Sequence, residues 1–357
     1  MTVRNIKQQG SLSPNPRTQG GRWFWLGFGF TGIAMLSAAG GALLALSLSS
    51  TPLLQQHLTP EEAALFNKGG NLTRAGLRLP ELTRPVTILV MGMSVLSTDV
   101  RNPPPETHNL GYEAQVNSFD GLSDVMLLLR FDPETGKMIA LSIPRDTQVE
   151  MDGFGTIKIN AANVKGGPVA SARLVSQLLD GIQIDRYVRI NVGGVQKLVD
   201  ALGGVTVYVP KNMKYQDDSQ HLYINLKQGR QHLDGDRTLQ LLRFRHDGNG
   251  DIGRIERQQM VMRALMEQTL NPMTLVRFPQ ILNVVQSNLD TNLSTEELLA
   301  LAAFGVKTER KNVEMLTLPG EANNTGRHGV SYWLPHHRRI HQIVDEYFDR
   351  DDTHFSS

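Results

Sequence analysis

The chain contains no cysteine, so a disulfide framework and a thiolate-held metal are both excluded. It has no charge excess either: 36 Lys and Arg stand against 35 Asp and Glu. A surface that holds nucleic acid needs a basic surplus, so no nucleic acid is expected as a partner. Two nucleotide-binding signatures are missing as well. No G-x-x-x-x-G-K-S/T loop occurs, and no G-x-G-x-x-G stands between a strand and a helix. Gly92-Met93-Ser94 follows an apolar stretch as a nucleophile elbow would, but Leu96 occupies the place of its second glycine. His336-His337-x-x-x-His341 lacks the general-base glutamate of a zinc helix and is flanked by Arg338 and Arg339, so it reads as a solvated helix face. No internal repeat is visible.

What is present begins with a charge-free run. Residues 1–22 hold Arg4, Lys7, Arg17 and Arg22 and no acid, a composition that predicts a disordered basic tail. From Trp23 to about Leu48 no charged residue occurs. Roughly 25 residues at ~1.5 Å each cross a hydrocarbon core of about 30 Å. A transmembrane helix is therefore expected over 23–49, with the basic tail cytoplasmic and everything beyond it extracytoplasmic. The competing reading is a cleaved signal peptide, for which Ala38-Ala39-Gly40 offers small residues, but the span exceeds an ordinary signal core.

Residues 50–80 read as a linker with one short helix, since Thr59-Pro60-Glu61-Glu62 supplies a cap, a first-turn proline and first-turn acids. From 81 to 350 apolar strands alternate with helical periodicity. Val125–Phe131 and Met138–Ser142 flank the turn Asp132-Pro133-Glu134-Thr135-Gly136, which predicts a hairpin. Val169–Leu179 and Val195–Leu202 have helical spacing, Leu233–Leu242 reads as a helix with Asp234 at its start, Val205–Val209 and Val313–Leu318 read as strands, and Tyr223–Leu226 belongs to a smaller hairpin. The expected fold is α/β, a three-layer sandwich with a central mixed β-sheet, preceded by one transmembrane helix. Residues 351–357 form a tail.

The residues that carry chemistry are arginines. Arg243-Phe-Arg245 is followed by Asp251, Arg254, Arg257 and Gln258. With Asp251 as N-cap, a 3.6-residue period puts Arg254, Arg257 and Gln258 on one stripe with Val261 and Leu265. Glu256, Arg263 and Glu267 fall opposite. A stripe that faces the core and starts with guanidiniums needs acids or an anionic ligand, because unpaired buried charge costs several kcal/mol. Further charges fall at strand ends, where α/β folds place their ligand crevices. They are Asp124 beside Ser123, Arg145 and Asp146 behind Pro144, and Lys158 with Asn160. Arginine forks match phosphate oxygens, and Mg2+ takes one or two carboxylates and completes its shell with phosphates, so the set suits a pyrophosphate bound with a divalent cation.

The strings GLSDVMLLLRFDPETGKMIALSIPRDTQVEM, KINAANVKGG, DALGGVTVYVP and LDGDRTLQLLRFRHDGNGDIGRIERQQ, in that order, resemble the LytR-CpsA-Psr proteins of bacterial cell envelopes. The resemblance covers roughly residues 85–270. It implies a membrane-anchored phosphotransferase that moves a glycopolymer from a polyprenyl-pyrophosphate carrier to peptidoglycan through a phosphodiester bond. It also implies a hydrophobic cleft for the prenyl chain and Mg2+ at the pyrophosphate. Carried over position by position, Asp124 holds the metal, and Arg145, Arg243, Arg245, Arg254 and Arg257 hold the phosphates. Asp251 and Gln258 orient Arg254 or its neighbours at the mouth of the site, with Gln258 also a pyrophosphate contact and Asp251 a candidate metal carboxylate, and Asp124 or Asp146 is the candidate base. One departure stands out: the family carries an acid shortly after the first strand's glycine, where this chain has Met93-Ser94. Asp99, from the loop beyond, is the candidate second metal carboxylate. Two other functions use the same residues: a lipid-pyrophosphate hydrolase, and an envelope-binding protein without turnover.

Overall fold

The computed structural model describes residues 58–66, 72–74, 79–94, 119–218, 222–244, 250–323 and 331–348. The tail 1–22, the apolar run 23–49, Asp99, Arg245 and the tail 351–357 lie outside the described residues.

In chain order the elements are α1 (Pro60–Phe66), β1 (Thr73–Arg74), β2 (Glu81–Leu82), β3 (Val86–Ser94), β4 (Leu122–Asp132) and β5 (Lys137–Ile143). Next come β6 (Gln148–Met151), β7 (Gly155–Lys158), α2 (Ala162–Leu178), β8 (Arg186–Ile190), α3 (Val192–Leu202) and β9 (Val205–Val209). Then follow β10 (Met213–Asp217), β11 (Leu222–Leu226), β12 (Gly229–Leu233), α4 (Gly235–Arg243), α5 (Gly250–Thr269) and α6 (Met273–Val276). The last are α7 (Phe278–Asn288), β13 (Leu289–Thr291), α8 (Thr295–Lys307), β14 (Val313–Thr317), β15 (Gly320–Asn323), β16 (Tyr332–Pro335) and α9 (His337–Tyr347).

Six strands form the main sheet in the order β13-β8-β3-β4-β5-β14. β8 runs parallel to β3 and β14 parallel to β5, while β3/β4, β4/β5 and β13/β8 are antiparallel, so the sheet is mixed. Alternation along β3 divides the core as a period of two requires. Leu89, Met91 and Met93 join Leu128 and Leu141 on one face, packed by Val169 and Val175 of α2 and Ile340 and Val344 of α9. Val86 and Ile88 join Phe131 and Ala140 on the other, packed by Met266 of α5 and Ala300 of α8. Helices therefore cover both faces, giving three layers. The two faces are not closed equally. Leu89, Leu128 and Leu141 are fully buried, whereas Val90, Leu129 and Val188, with Met262 of α5 across from them, are only partly covered.

Two expectations shift. The stretch read as linker is in part domain: Phe66 and Leu72 are buried, and the Phe66 ring lies 5.4 Å from that of Tyr187. Short polar neighbours concealed two anchoring side chains. The helix expected at Val169 is longer but broken, with Gly167 at φ +62° and Pro168 restarting it; a proline's fixed φ suits a first turn. Several local expectations are met. Thr59 and Glu62 cap α1 reciprocally, Asp234 caps α4 by accepting from the Arg237 amide, and the Val125/Met138 hairpin and the strands at 205 and 313 form as expected.

Candidate active site

β3 and β4 end the sheet with an irregularity between Gly92 and Met93. Such a bulge re-aims the strand at a rim, and a Cβ at Gly92 would meet Val125 Cβ at 3.0 Å. Beside it β4 starts at Leu122, burying Ser123 and Asp124. The neighbouring β5 ends at Ile143 and turns sharply. Thr147 closes that turn, donating from its amide and its hydroxyl to the Pro144 carbonyl at 3.0 and 2.6 Å. Pro144 cannot prolong a ladder because it has no N–H, and the turn it starts presents Arg145 and Asp146.

Four charges meet there. Arg145 Nη1 lies 2.9 Å from Asp124 Oδ1, and its Nε lies 3.5 Å from Asp146 Oδ2. Lys158 Nζ donates to Asp146 Oδ1 at 2.7 Å and stands 5.9 Å from the centre of the Tyr332 ring. The side chains grade from buried to open: Asp124 is 7% exposed, Arg145 20% and Lys158 31%. Backbone bonds brace the group, from Asn160 N to the Arg145 carbonyl at 3.2 Å and from Trp333 N to the Asp146 carbonyl at 2.9 Å. Sequence reasoning named Asp124, Arg145, Asp146, Lys158 and Asn160, and all of them assemble here. It missed Tyr332 and Trp333, which arrive from nearly 190 residues downstream with no local signal.

The arginine helix is placed differently from the capped stripe expected. α5 starts at Gly250, so Asp251 stands in its first turn rather than ahead of it as a cap. Arg257, 2% exposed, donates from Nη2 to the Phe244 carbonyl at 2.5 Å and lies 5.8 Å from the centre of that ring. Phe244 follows Arg243, the last residue of α4. Arg257 thereby clamps the chain just where α4 hands over to residues 245–249. Glu256, Arg263 and Glu267 are exposed, on the outer side of the helix as the period requires. The side chains of Ser94, Asp251, Arg254 and Gln258, like Asp99 and Arg245 altogether, lie outside the described residues.

A buried polar network supports the loop leading into β4. Arg189 and Asp290, both 4% exposed, pair at 2.6 Å. Arg189 Nη1 also donates to the Phe119 carbonyl and to Asn163 Oδ1, each at 3.2 Å. Asn163 Nδ2 donates to the carbonyls of Phe119 and Gly121 at 2.8 Å. Asp124 is thus supplied by a segment held from β8, β13 and α2 together. Nothing in the sequence marked this set, because its members are locally unremarkable. Burial, and then the charge of Asp290, pushes the Tyr187 hydroxyl well above the ordinary phenol range.

Among the described residues no three His, Asp, Glu or Cys side chains gather as a metal site would need on its own. Mg2+ bound mainly by phosphate oxygens and water requires one or two carboxylates. The donor set fits that mode: Asp124 offers a carboxylate at the base of the charged turn.

The LytR_cpsA_psr family model matches residues 60–349. The polyisoprenyl-teichoic acid–peptidoglycan teichoic acid transferase TagU of Oceanobacillus iheyensis is 34% identical over 233 residues, 63% of this chain and 70% of that protein. The regulatory protein MsrR of Staphylococcus aureus is 31% identical over 239 residues, 64% of this chain and 70% of that one. The crystal structure of Bacillus subtilis TagV superposes with a TM-score of 0.60 at 28% identity, covering 74% of this chain and 96% of that one.

Proposed function

The chain belongs to the LytR-CpsA-Psr family, and we propose that it is a membrane-anchored phosphotransferase joining a glycopolymer to peptidoglycan from a polyprenyl-pyrophosphate carrier. The family's curated relatives named as teichoic acid transferases support the reaction class. The observation that carries the reading in this chain is the row Asp124–Arg145–Asp146–Lys158 at one end of the sheet. On the sheet face that packs against α5 and α8, Val90, Leu129 and Val188 are only partly covered. The row offers charge for a diphosphate, and that face is assigned as the apolar bed for a prenyl chain.

Attack by an acceptor hydroxyl on the glycan-side phosphorus spreads negative charge over the non-bridging oxygens and onto the leaving lipid phosphate. Arg145, held by two carboxylates on two sides, is fixed before the ligand arrives, and preorganised cations lower such a barrier most. Arg243, at the close of α4, and Arg254, on α5, are assigned to the same phosphates, with Arg245 and Gln258 beside them. Arg257 contributes by holding Phe244 in place. Asp146, more open than Asp124, is the candidate to take the acceptor's proton. Mg2+, when bound, would be held by Asp124 with Asp99 and Asp251 as further carboxylates, and would neutralise charge on the diphosphate. The apolar run 23–49 would keep the enzyme on the surface that carries its lipid substrate, raising the effective concentration.

The test is incubation of the full-length protein with labelled lipid-linked glycan, with and without peptidoglycan. Label bound to wall material, dependent on acceptor, is the expected outcome. Free glycan phosphate in both tubes points to hydrolysis, and no turnover in either to a binding protein.

A further inference from the structure

The turn that carries Arg145 and Asp146 opens into a groove that the reaction scheme leaves unused. β6 leaves the turn at Gln148 and pairs with β7, while β16 comes alongside and pairs with β15. The two edges meet at one point, a parallel bridge between Thr147 and Trp333, where Trp333 N donates to the Asp146 carbonyl at 2.9 Å. Continuing that ladder would need the N–H of residue 335 to reach the Gln148 carbonyl. Residue 335 is proline and has no N–H, so the strands part. Between them lies a groove of about 500 Å3, floored by Leu174 and Leu178 of α2 and edged by Glu150, Gln177, Leu334 and His337.

Register decides what points into the gap. Ile159 N donates to the Thr147 carbonyl at 2.8 Å, so in the antiparallel β6/β7 ladder Val149 and Met151 are the residues that bond across. Gln148 and Glu150 turn their N–H and C=O groups the other way, toward β16. On β16, His336 N donates to the Pro319 carbonyl at 2.9 Å. That makes Leu334 the residue bonded to β15 and aims the Pro335 carbonyl back at β6. The groove therefore has main-chain polar groups on both walls and an apolar floor. Among the described residues no third strand fills it. Such an edge takes an extended peptide as an added strand, with main-chain bonds for affinity and small pockets for alternate side chains.

The position of the bridge says which peptide. The groove starts at Asp146, the candidate base for the acceptor hydroxyl. A ligand that offers a hydroxyl there and lies along β6 joins a sugar to a short peptide, as peptidoglycan does. We propose that the groove between β6 and β16 binds the stem peptide of the peptidoglycan acceptor by strand addition and so delivers the attached sugar to Asp146. The four residues of β6 give an edge of about 13 Å at ~3.3 Å each, enough for a peptide of a few residues. The inference rests on the acceptor named in the preceding section.

Two measurements test it. Hydrogen exchange over residues 148–151 of the full-length protein is followed with free stem peptide, released from peptidoglycan by an amidase, as the probe. The Glu150 amide should exchange about tenfold more slowly with peptide bound; no slowing at the highest soluble peptide concentration overturns the proposal. Transfer is then measured to glycan strands that keep their peptides and to strands stripped by the amidase. Glu150→Pro removes the N–H that faces the groove and spares the bonds to β7, a position where an edge strand tolerates proline. Glu150→Ala removes the carboxylate alone. The proline variant should raise the KM for peptide-bearing strands about tenfold, the worth of one hydrogen bond, and leave the KM for stripped strands unchanged. The alanine variant should match the parent on both. Equal losses in the two variants, or an equal rise for both acceptors, overturn main-chain pairing. Absence of transfer by the parent while residues 148–151 are still protected defeats the transferase reading and leaves the peptide groove standing.

Discussion

Arg145 and Asp124 stand 21 residues apart in the chain and 2.9 Å apart in the fold, joined across the β4–β5 pair. The bond fixes the guanidinium while leaving it partly open to solvent. Arg145→Lys keeps the charge and loses the fork, which matters where two oxygens are gripped at once. Transfer by Arg145→Lys should fall tenfold or so, and by Arg145→Ala about hundredfold or more. Both are measured as label on peptidoglycan, with circular dichroism confirming the fold. Normal turnover in the alanine variant removes Arg145 from the site.

Arg243 and Arg257 test two uses of one side chain. Arg243 is half-buried at the close of α4, and Arg243→Ala should depress transfer with a stability change within about 0.5 kcal/mol. Arg257 is buried against Phe244. Arg257→Ala should cost roughly 3 kcal/mol in urea unfolding, because a buried carbonyl loses its donor and a cavity opens. Equal stability losses in the two variants would erase the distinction.

The pair Arg189–Asp290 should behave as a buried ion pair does. Removing one member strands the other's charge, so Arg189→Met or Asp290→Leu alone should destabilise by about 3–5 kcal/mol. The double variant should recover a large part of that loss. Additive losses would mean that the two side chains act separately. Transfer by the double variant should remain low even when stability returns, since Phe119 and Gly121 would lose the network that Arg189 and Asn163 hold together.

These cases mark where sequence reading stopped. The strands, the hairpin, the caps at Thr59 and Asp234 and the charged turn were legible because each depends on neighbours within a few residues. Asp124 and Arg145 stood at the ends of neighbouring strands of the main sheet, and such ends converge, while Lys158 closes β7 of a separate two-stranded pair. The Arg189–Asp290 pair was not legible, since its members are 101 residues apart and neither violates a local pattern. Arg257 shows a subtler limit: periodicity placed it on the buried side, yet what it meets there is the Phe244 carbonyl and ring, 13 residues back in the chain. The linker boundary failed for a similar reason, as Phe66 finds its place only against Tyr187.

Tyr187 gives a test by pH. Its hydroxyl is raised above the ordinary phenol value by burial first and by Asp290 second, and Tyr347 is pushed up to about 12, chiefly by its bond to Glu314. An unfolded tyrosine titrates near pH ~10. Above that value the unfolded chain releases protons that the native state still holds, so stability must fall as pH rises. Below it these groups contribute no slope. Urea unfolding followed from about pH 8 to about pH 11.5 should show a level region and then a decline that starts near pH ~10. Tyr187→Phe should match the parent at neutral pH, because the bond to Asp290 Oδ1 is long at 3.5 Å. Its alkaline decline should be shallower by the share of one titrating group. If the variant declines with the parent's slope, the native Tyr187 hydroxyl is not held neutral by its surroundings, and the closed packing around the Arg189 network is wrong.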